Sequence, residues 1–167
     1  MNARIEYAKA VPEALKTMIA LEQYVRHSGL EESLLELVKL RASQINGCAF
    51  CIDMHSKDAR AHGESEQRLY ELDAWRETPF YSEREQAALA WTEAVTLITN
   101  GHVPNQTYEQ ARKFFSETEL VNLTYAIVAI NGWNRLGIAF RSVPGLYQPA
   151  GRAGGHTSLA KKEEGLL

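Results

Sequence analysis

Apolar side chains recur every three to four residues along most of this chain, and no segment alternates with a period of two. A chain patterned this way has no half-buried strands from which to build a sheet, which leaves helix packed on helix. Pro12 suits a first helical turn, and Leu15, Met18, Ile19, Leu21 and Val25 follow until His27-Ser28-Gly29 stops the run. A second helix is expected over about residues 31–45, carried by Leu34, Leu35, Leu37, Val38, Leu40 and Ile45. Asn46-Gly47 breaks it, because both residues tolerate the left-handed backbone that ends helices. A third should start at about Cys48 and run to Ala61, with Gly63 just past its end. Ser65 caps a short helix through Leu72, and Pro79 then interrupts the pattern.

Two capping boxes mark the second half of the chain. Ser82 with Glu85 opens a helix through Ala87, Ala88, Trp91, Val95 and Ile98 that closes at Asn100-Gly101. Ser116 with Glu119 opens a long last helix through Leu120, Leu123, Ile127 and Ile130 toward Phe140, and Pro104-Asn105 introduces a shorter one ending near Phe115. The expectation is an all-α fold of six to seven helices over residues 1–148. Residues 149–167 are rich in glycine and charge and poor in apolar surface, so a flexible C-terminal tail is expected there.

Charge and length narrow the function classes. With 167 residues and a formal net charge of −3, the chain lacks the basic footprint of a nucleic-acid binder. Its first residues have no uninterrupted apolar stretch of the kind a secretory signal needs. Its longest apolar run, Ala126 to Ile130, falls far short of the roughly 20 residues that span a bilayer. A cytoplasmic protein with neither membrane nor nucleic-acid partner is the expectation. In a reduced compartment two cysteines read as catalytic or metal-binding rather than as a staple.

Those cysteines stand in Cys48-x-x-Cys51-x-x-x-His55, at the predicted start of the third helix. Separated by two residues, they are close enough to form a disulfide within one turn. A helix N-terminus also favours a thiolate, lowering a thiol below its free value of about 8.5. His55 follows Cys51 by four residues and so shares its face, where an imidazole can take and return a thiol proton. Glu36 completes the group only if the chain folds back at Asn46-Gly47. It lies about ten residues before that break and His55 about nine after it, so in a hairpin both sit at a depth of about 14 Å, at 1.5 Å per residue. In a continuous rod Glu36 would lie about 18 Å from Cys48, out of reach. A carboxylate beside the imidazole would orient it and strengthen it as a base.

Glu36-x11-Cys48-x2-Cys51-x3-His55, set within ELVKLRASQINGCAFCIDMH, closely resembles the core motif of the alkylhydroperoxidase D family. This is the redox-active branch of the carboxymuconolactone decarboxylase-like superfamily. The resemblance covers about residues 10–145, including NGWNRLGIAFR from Asn131 to Arg141. It implies a helical bundle with an active-site helix hairpin, assembled as a trimer or hexamer. It also implies peroxide reduction by the cysteine pair, with a lipoyl- or thioredoxin-like dithiol donor as reductant and no cofactor or metal. On the matching positions Cys51 is the thiol oxidised to a sulfenic acid, Cys48 the proton donor that resolves it, and His55 with Glu36 the proton relay. Some members carry a histidine between the cysteines where this chain has Phe50. The decarboxylase branch typically lacks the pair.

Other readings of the same residues stand beside this one. The cysteines can be small buried hydrophobes. They can instead bind zinc with His55 and with His62, seven residues further along the same face, although so many ligands on one short helix strain a tetrahedron. Without the hairpin, Glu36 is an ordinary solvated carboxylate. His27, His102 and His156 flank turns or lie in the tail and are expected to be exposed, while Trp75, Trp91 and Trp133 suit a core or an interface. Asn131, Trp133, Asn134 and Arg135 could line the mouth of the site or a subunit contact. The chain is thus a peroxidase or general disulfide reductase, or else a zinc-stabilised or cofactor-free binding scaffold.

Overall fold

The computed structural model describes residues 2–149, and all of their regular structure is helical. Eight α-helices run in order: α1 (Tyr7–Ala10), α2 (Pro12–Arg26), α3 (Glu32–Asn46), α4 (Ala49–Ala61), α5 (Glu66–Tyr70), α6 (Glu83–Thr96), α7 (Asn105–Phe114) and α8 (Glu117–Phe140). A 3-10 helix, Leu72–Glu77, lies between α5 and α6. This exceeds the six to seven helices expected. The additions are a four-residue helix, too short to show a period, and a tight turn that continues past Glu71, where the sequence pattern suggested an end at Leu72. Of the expected tail, residues 150–167 lie outside the described residues, as does His156.

The helix starts are where side-chain chemistry puts them. Ser82 and Ser116 each accept from the backbone N–H three residues on, and Glu85 and Glu119 return the bond to the cap, so both boxes form. Ser65 caps α5 in the same way through Arg68 N–H. Helix α6 stops at Thr96, short of Asn100-Gly101: Leu97 and Ile98 are exposed, so no packing extends the helix through them, and the chain turns instead.

Helix α3 runs through the centre. It packs against α4, α6 and α8, and every residue from Leu34 to Leu40 is buried. One side, Leu34, Leu35 and Val38, meets Ala87, Ala88 and Trp91 of α6 and Leu123, Ala126 and Ile127 of α8. The other, Leu37 and Leu40, meets Ala59 of α4 with Leu72, Trp75 and Leu89. Each such leucine removed from water stabilises the fold by about 1.5–3 kcal/mol. A helix buried all round should be apolar all round. Glu36 and Lys39 break that rule, and they lead to the site. No helix among the described residues is long and apolar enough to cross a membrane.

Candidate active site

The turn between α3 and α4 is made by Gly47, whose φ of +69° is left-handed. Gly47 N–H donates to the carbonyl of Gln44 and Cys48 N–H to that of Ser43, the paired bonds of a Schellman ending. The backbone then reverses and Cys48 caps α4, its Sγ accepting from Cys51 N–H at 3.4 Å. One turn brings Cys48 and Cys51 to a Cα–Cα distance of 5.3 Å, and their sulfurs are joined in a disulfide. Both are buried among Ala42, Phe50 and Ile130, with Met54 and Trp133 packed alongside.

Helix α8 closes over the pair. A Cβ on Gly137 would stand 3.2 Å from Cys48 Sγ and 3.7 Å from Cys51 Sγ, so glycine is what lets α8 come this close. An amide network holds that approach. Asn46 Nδ2 donates to Asn131 Oδ1 at 3.0 Å and Asn134 Oδ1 at 2.8 Å, and Asn134 Nδ2 donates to Ser43 Oγ at 3.0 Å. Asn131 and Asn134 therefore clamp α8 to the α3–α4 turn, while Trp133 is the member of that quartet packed on the cysteine cluster. Arg135 bonds back to Asn131. Trp75 and Trp91 belong to the core, each with its indole N–H bonded, to Glu93 and Thr124.

The hairpin brings Glu36 and His55 together. His55 Nδ1 lies 2.8 Å from Glu36 Oε2, and both side chains are almost fully buried. A carboxylate only accepts, so Nδ1 carries the proton, and Nε2 of a neutral ring is left with its lone pair. Glu36 is no solvated surface carboxylate. Asp58, one turn past His55, completes a buried trio whose donor atoms lie within 4.8 Å of one another. Tyr147, beyond the end of α8, donates its hydroxyl to Asp58 Oδ1 at 2.5 Å.

Two further charges adjoin the trio, one buried and one partly buried. Lys39 makes an ion pair with Glu22 of α2. Burial alone would push the Glu22 carboxyl up, but the Lys39 ammonium outweighs it and holds Glu22 below the ordinary carboxylate range. Burial would likewise pull Lys39 down, yet the charges of Glu22 and Glu36 hold it above its ordinary value. Burial and the bond to Asp58 both push the Tyr147 phenol well up, so it stays a donor. Sequence reasoning missed Glu22, Lys39, Asp58 and Tyr147. Signals were present for Lys39, three residues from Glu36 within an apolar run, and for Asp58, three residues after His55 on the same helix.

The trio is also the set of described residues able to present three ligating atoms to a metal. The zinc set weighed from sequence does not assemble. His62 is exposed and faces Glu32 at 3.4 Å, whereas Cys48, Cys51 and His55 are buried. His27 and His102 are exposed, as expected.

Residues 12–94 match the model of the Carboxymuconolactone decarboxylase family. The chain is 47% identical over 139 residues to YdfG, an uncharacterized protein of Bacillus subtilis (strain 168), across 83% of this chain and 95% of that one. Among solved structures, ATU0492 of Agrobacterium tumefaciens is 51% identical with a TM-score of 0.85, covering 87% of this chain and all of its own. ATU0492 is a protein of unknown function regarded as a candidate AhpD antioxidant-defence protein. The debrominase Bmp8 has a TM-score of 0.74 at 16% identity, over 95% of this chain and 80% of that one, a likeness of fold alone.

Proposed function

Because the chain belongs to the carboxymuconolactone decarboxylase family, in its alkylhydroperoxidase D-like branch, we propose that it is a thiol-dependent peroxidase serving antioxidant defence. The observation that carries the reading is the buried juxtaposition of a Cys48–Cys51 redox pair with a hydrogen-bonded Glu36–His55 pair on one helix hairpin. Cys51 is the attacking thiol, since His55 lies one turn away on the same helix. Its proton passes to Nε2 of His55 while Glu36 holds Nδ1–H and stabilises the imidazolium. The thiolate attacks the peroxide, the O–O bond breaks, and sulfur keeps one oxygen as a sulfenic acid. The other oxygen leaves as an alcohol, or as water from hydrogen peroxide, after taking the relay's proton. Cys48 then attacks the sulfenate sulfur, expelling water and forming the disulfide. A dithiol donor of lipoyl or thioredoxin type restores both thiols by exchange.

A cytoplasmic location fits this cycle, because a reduced compartment supplies the dithiol donor. A homo-oligomer, trimer or hexamer, fits the face that α8 leaves uncovered: Val121, Tyr125 and Val128 recur at helical spacing and stay about half exposed. The cysteine pair argues against decarboxylation, which makes no use of it. A general disulfide reductase would share the pair but not the reaction with peroxide, so the test is order of oxidation. With a dimedone-type probe and peroxide, Cys48→Ser should accumulate a labelled Cys51, and Cys51→Ser should lose peroxide reduction altogether. Labelling of Cys48 with activity retained in the Cys51 variant would reverse the assignment. No label in either variant would leave only the reductase.

A further inference from the structure

Beside the apolar cluster around the cysteines, a chain of amides and hydroxyls crosses from α8 to the α3–α4 turn. Ser43 is its joint. The Ser43 hydroxyl accepts from Asn134 Nδ2 and donates to the Lys39 carbonyl, while the Ser43 carbonyl accepts from Cys48 N–H at 3.0 Å. Asn46, two residues before Cys48, donates to both Asn131 and Asn134. Asn131 Nδ2 in turn donates to Thr96 Oγ1 of α6 at 3.1 Å and to the Ile127 carbonyl at 2.9 Å. Ser43 and Asn134 are fully buried. A buried polar network gains little stability over an apolar contact, so what these side chains add is a fixed position. The position they fix is that of Cys48 against α8, because one turn beyond Asn134 the same helix presents Gly137 to both sulfurs.

We propose that Ser43, Asn46 and Asn134 are positioning residues of the redox pair, a clamp that favours the Cys48–Cys51 disulfide over the dithiol by denying the separated sulfurs room. The proposal rests on the reading of Cys48 and Cys51 as a pair that cycles between the two states, and it needs no peroxide. Two unbonded sulfurs stand at van der Waals contact, further apart than two bonded ones, so reduction must push Cys48 or Cys51 outward. Cys51 is held in the first turn of α4 and Cys48 by the Ser43 carbonyl, and α8 stands against both at Gly137. With the amides in place α8 cannot retreat, and the dithiol is crowded. Without them α8 and the turn can part, and the dithiol is relieved. The clamp thereby makes the reduced pair a stronger reductant.

Thiol–disulfide exchange with dithiothreitol reads this equilibrium directly. The reduced reagent gives two hydrogens to the protein disulfide, whose S–S bond breaks as one forms in the reagent. Full-length protein is equilibrated across ratios of reduced to oxidised dithiothreitol. Free thiols are then alkylated, and the alkylated fraction of the peptide carrying both cysteines gives the exchange constant. Asn46→Ala and Asn134→Ala should each shift it about three- to tenfold toward the dithiol, the worth of one hydrogen bond. Ser43→Ala deletes a single oxygen and carries the test where Asn134→Ala does not fold. Trp75→Phe is the control. It removes the indole bond to Glu93 in another part of the core, so it weakens both forms alike and should leave the constant unmoved. A constant unmoved in the asparagine and serine variants, moved toward the disulfide, or moved as far by Trp75→Phe overturns the proposal. So does a parent that stays reduced at every ratio. A protein that exchanges as expected but consumes no peroxide supports the clamp and counts only against the peroxidase reading. A peroxidase whose constant does not move in the variants counts only against the clamp.

Discussion

Two glycines on α8 show how much depends on what a missing side chain would touch. Both sit in a helix interior, where alanine ordinarily gains about 0.5–1 kcal/mol. At Gly132 an added Cβ meets the terminal methyl of Met18 at 2.9 Å, and that flexible end can swing aside. At Gly137 it meets two sulfurs that are tied to each other and boxed in by Phe50 and Ile130. Gly132→Ala should therefore be neutral or mildly stabilising, while Gly137→Ala should lose about 1–3 kcal/mol to overpacking. Urea unfolding of the two variants against the parent checks the contrast, and equal behaviour would mean that α8 does not press on the cysteines.

At the level of elements, the α3–α4 hairpin was legible and its charged surroundings were not. Asn46-Gly47 announced the reversal, and counting residues on either side of it placed Glu36 beside His55, because a hairpin converts distance along the chain into depth. Glu22 and Tyr147 had no such rule. They reach the trio's surroundings from α2 and from the residues after α8, and only tertiary packing brings them there. Asn131 and Asn134 were visible as a polar interruption of an apolar helix, but nothing local said that they clamp a turn 85 and 88 residues away. The Lys39–Glu22 pair makes the best test of these buried charges. Glu22 is held low, so its contribution to stability is present above its unfolded value of about 4.3 and lost as the pH falls through its folded one. Lys39 is held high, so its contribution is present below about 10.4 and lost as the pH rises through its folded value. Lys39→Met strands a buried carboxylate and should cost about 3–5 kcal/mol near neutral pH. The stranded Glu22 then prefers to be protonated, so the variant should become more stable on acidification while the parent becomes less so. Urea midpoints at neutral pH and at a pH below about 4 decide it, and parallel slopes would contradict the account.

For the whole molecule, the helical class followed from periodicity and the added helices did not, because four-residue and 3-10 elements bury too little to leave a pattern. The outer face of α8 also makes sense only at this scale. Tyr125 is met by Tyr24 in an edge-on contact at 6.2 Å, and the rest of the stripe stays uncovered in one copy of the chain. Light scattering should give a mass three or six times 18.8 kDa, falling to that of one chain when Val121 and Val128 are both changed to Glu. A single-chain mass for the parent would remove the oligomer from the proposal.

The central claim is that Cys48 and Cys51 turn over peroxide as a pair, assisted by Glu36 and His55. The most direct test mixes fully reduced protein with one equivalent of an organic hydroperoxide and follows two quantities together, alcohol formed and hydrogens lost from the peptide carrying both cysteines. The account predicts one alcohol for each two-hydrogen loss, with no other peptide modified. It also predicts that Glu36→Gln and His55→Gln each slow the conversion by about 10²-fold or more. Because the two residues act as a unit, the double variant should be scarcely slower than either single one. Both thiols still free after peroxide has been consumed would contradict the claim outright, and losses that multiply in the double variant would contradict the relay.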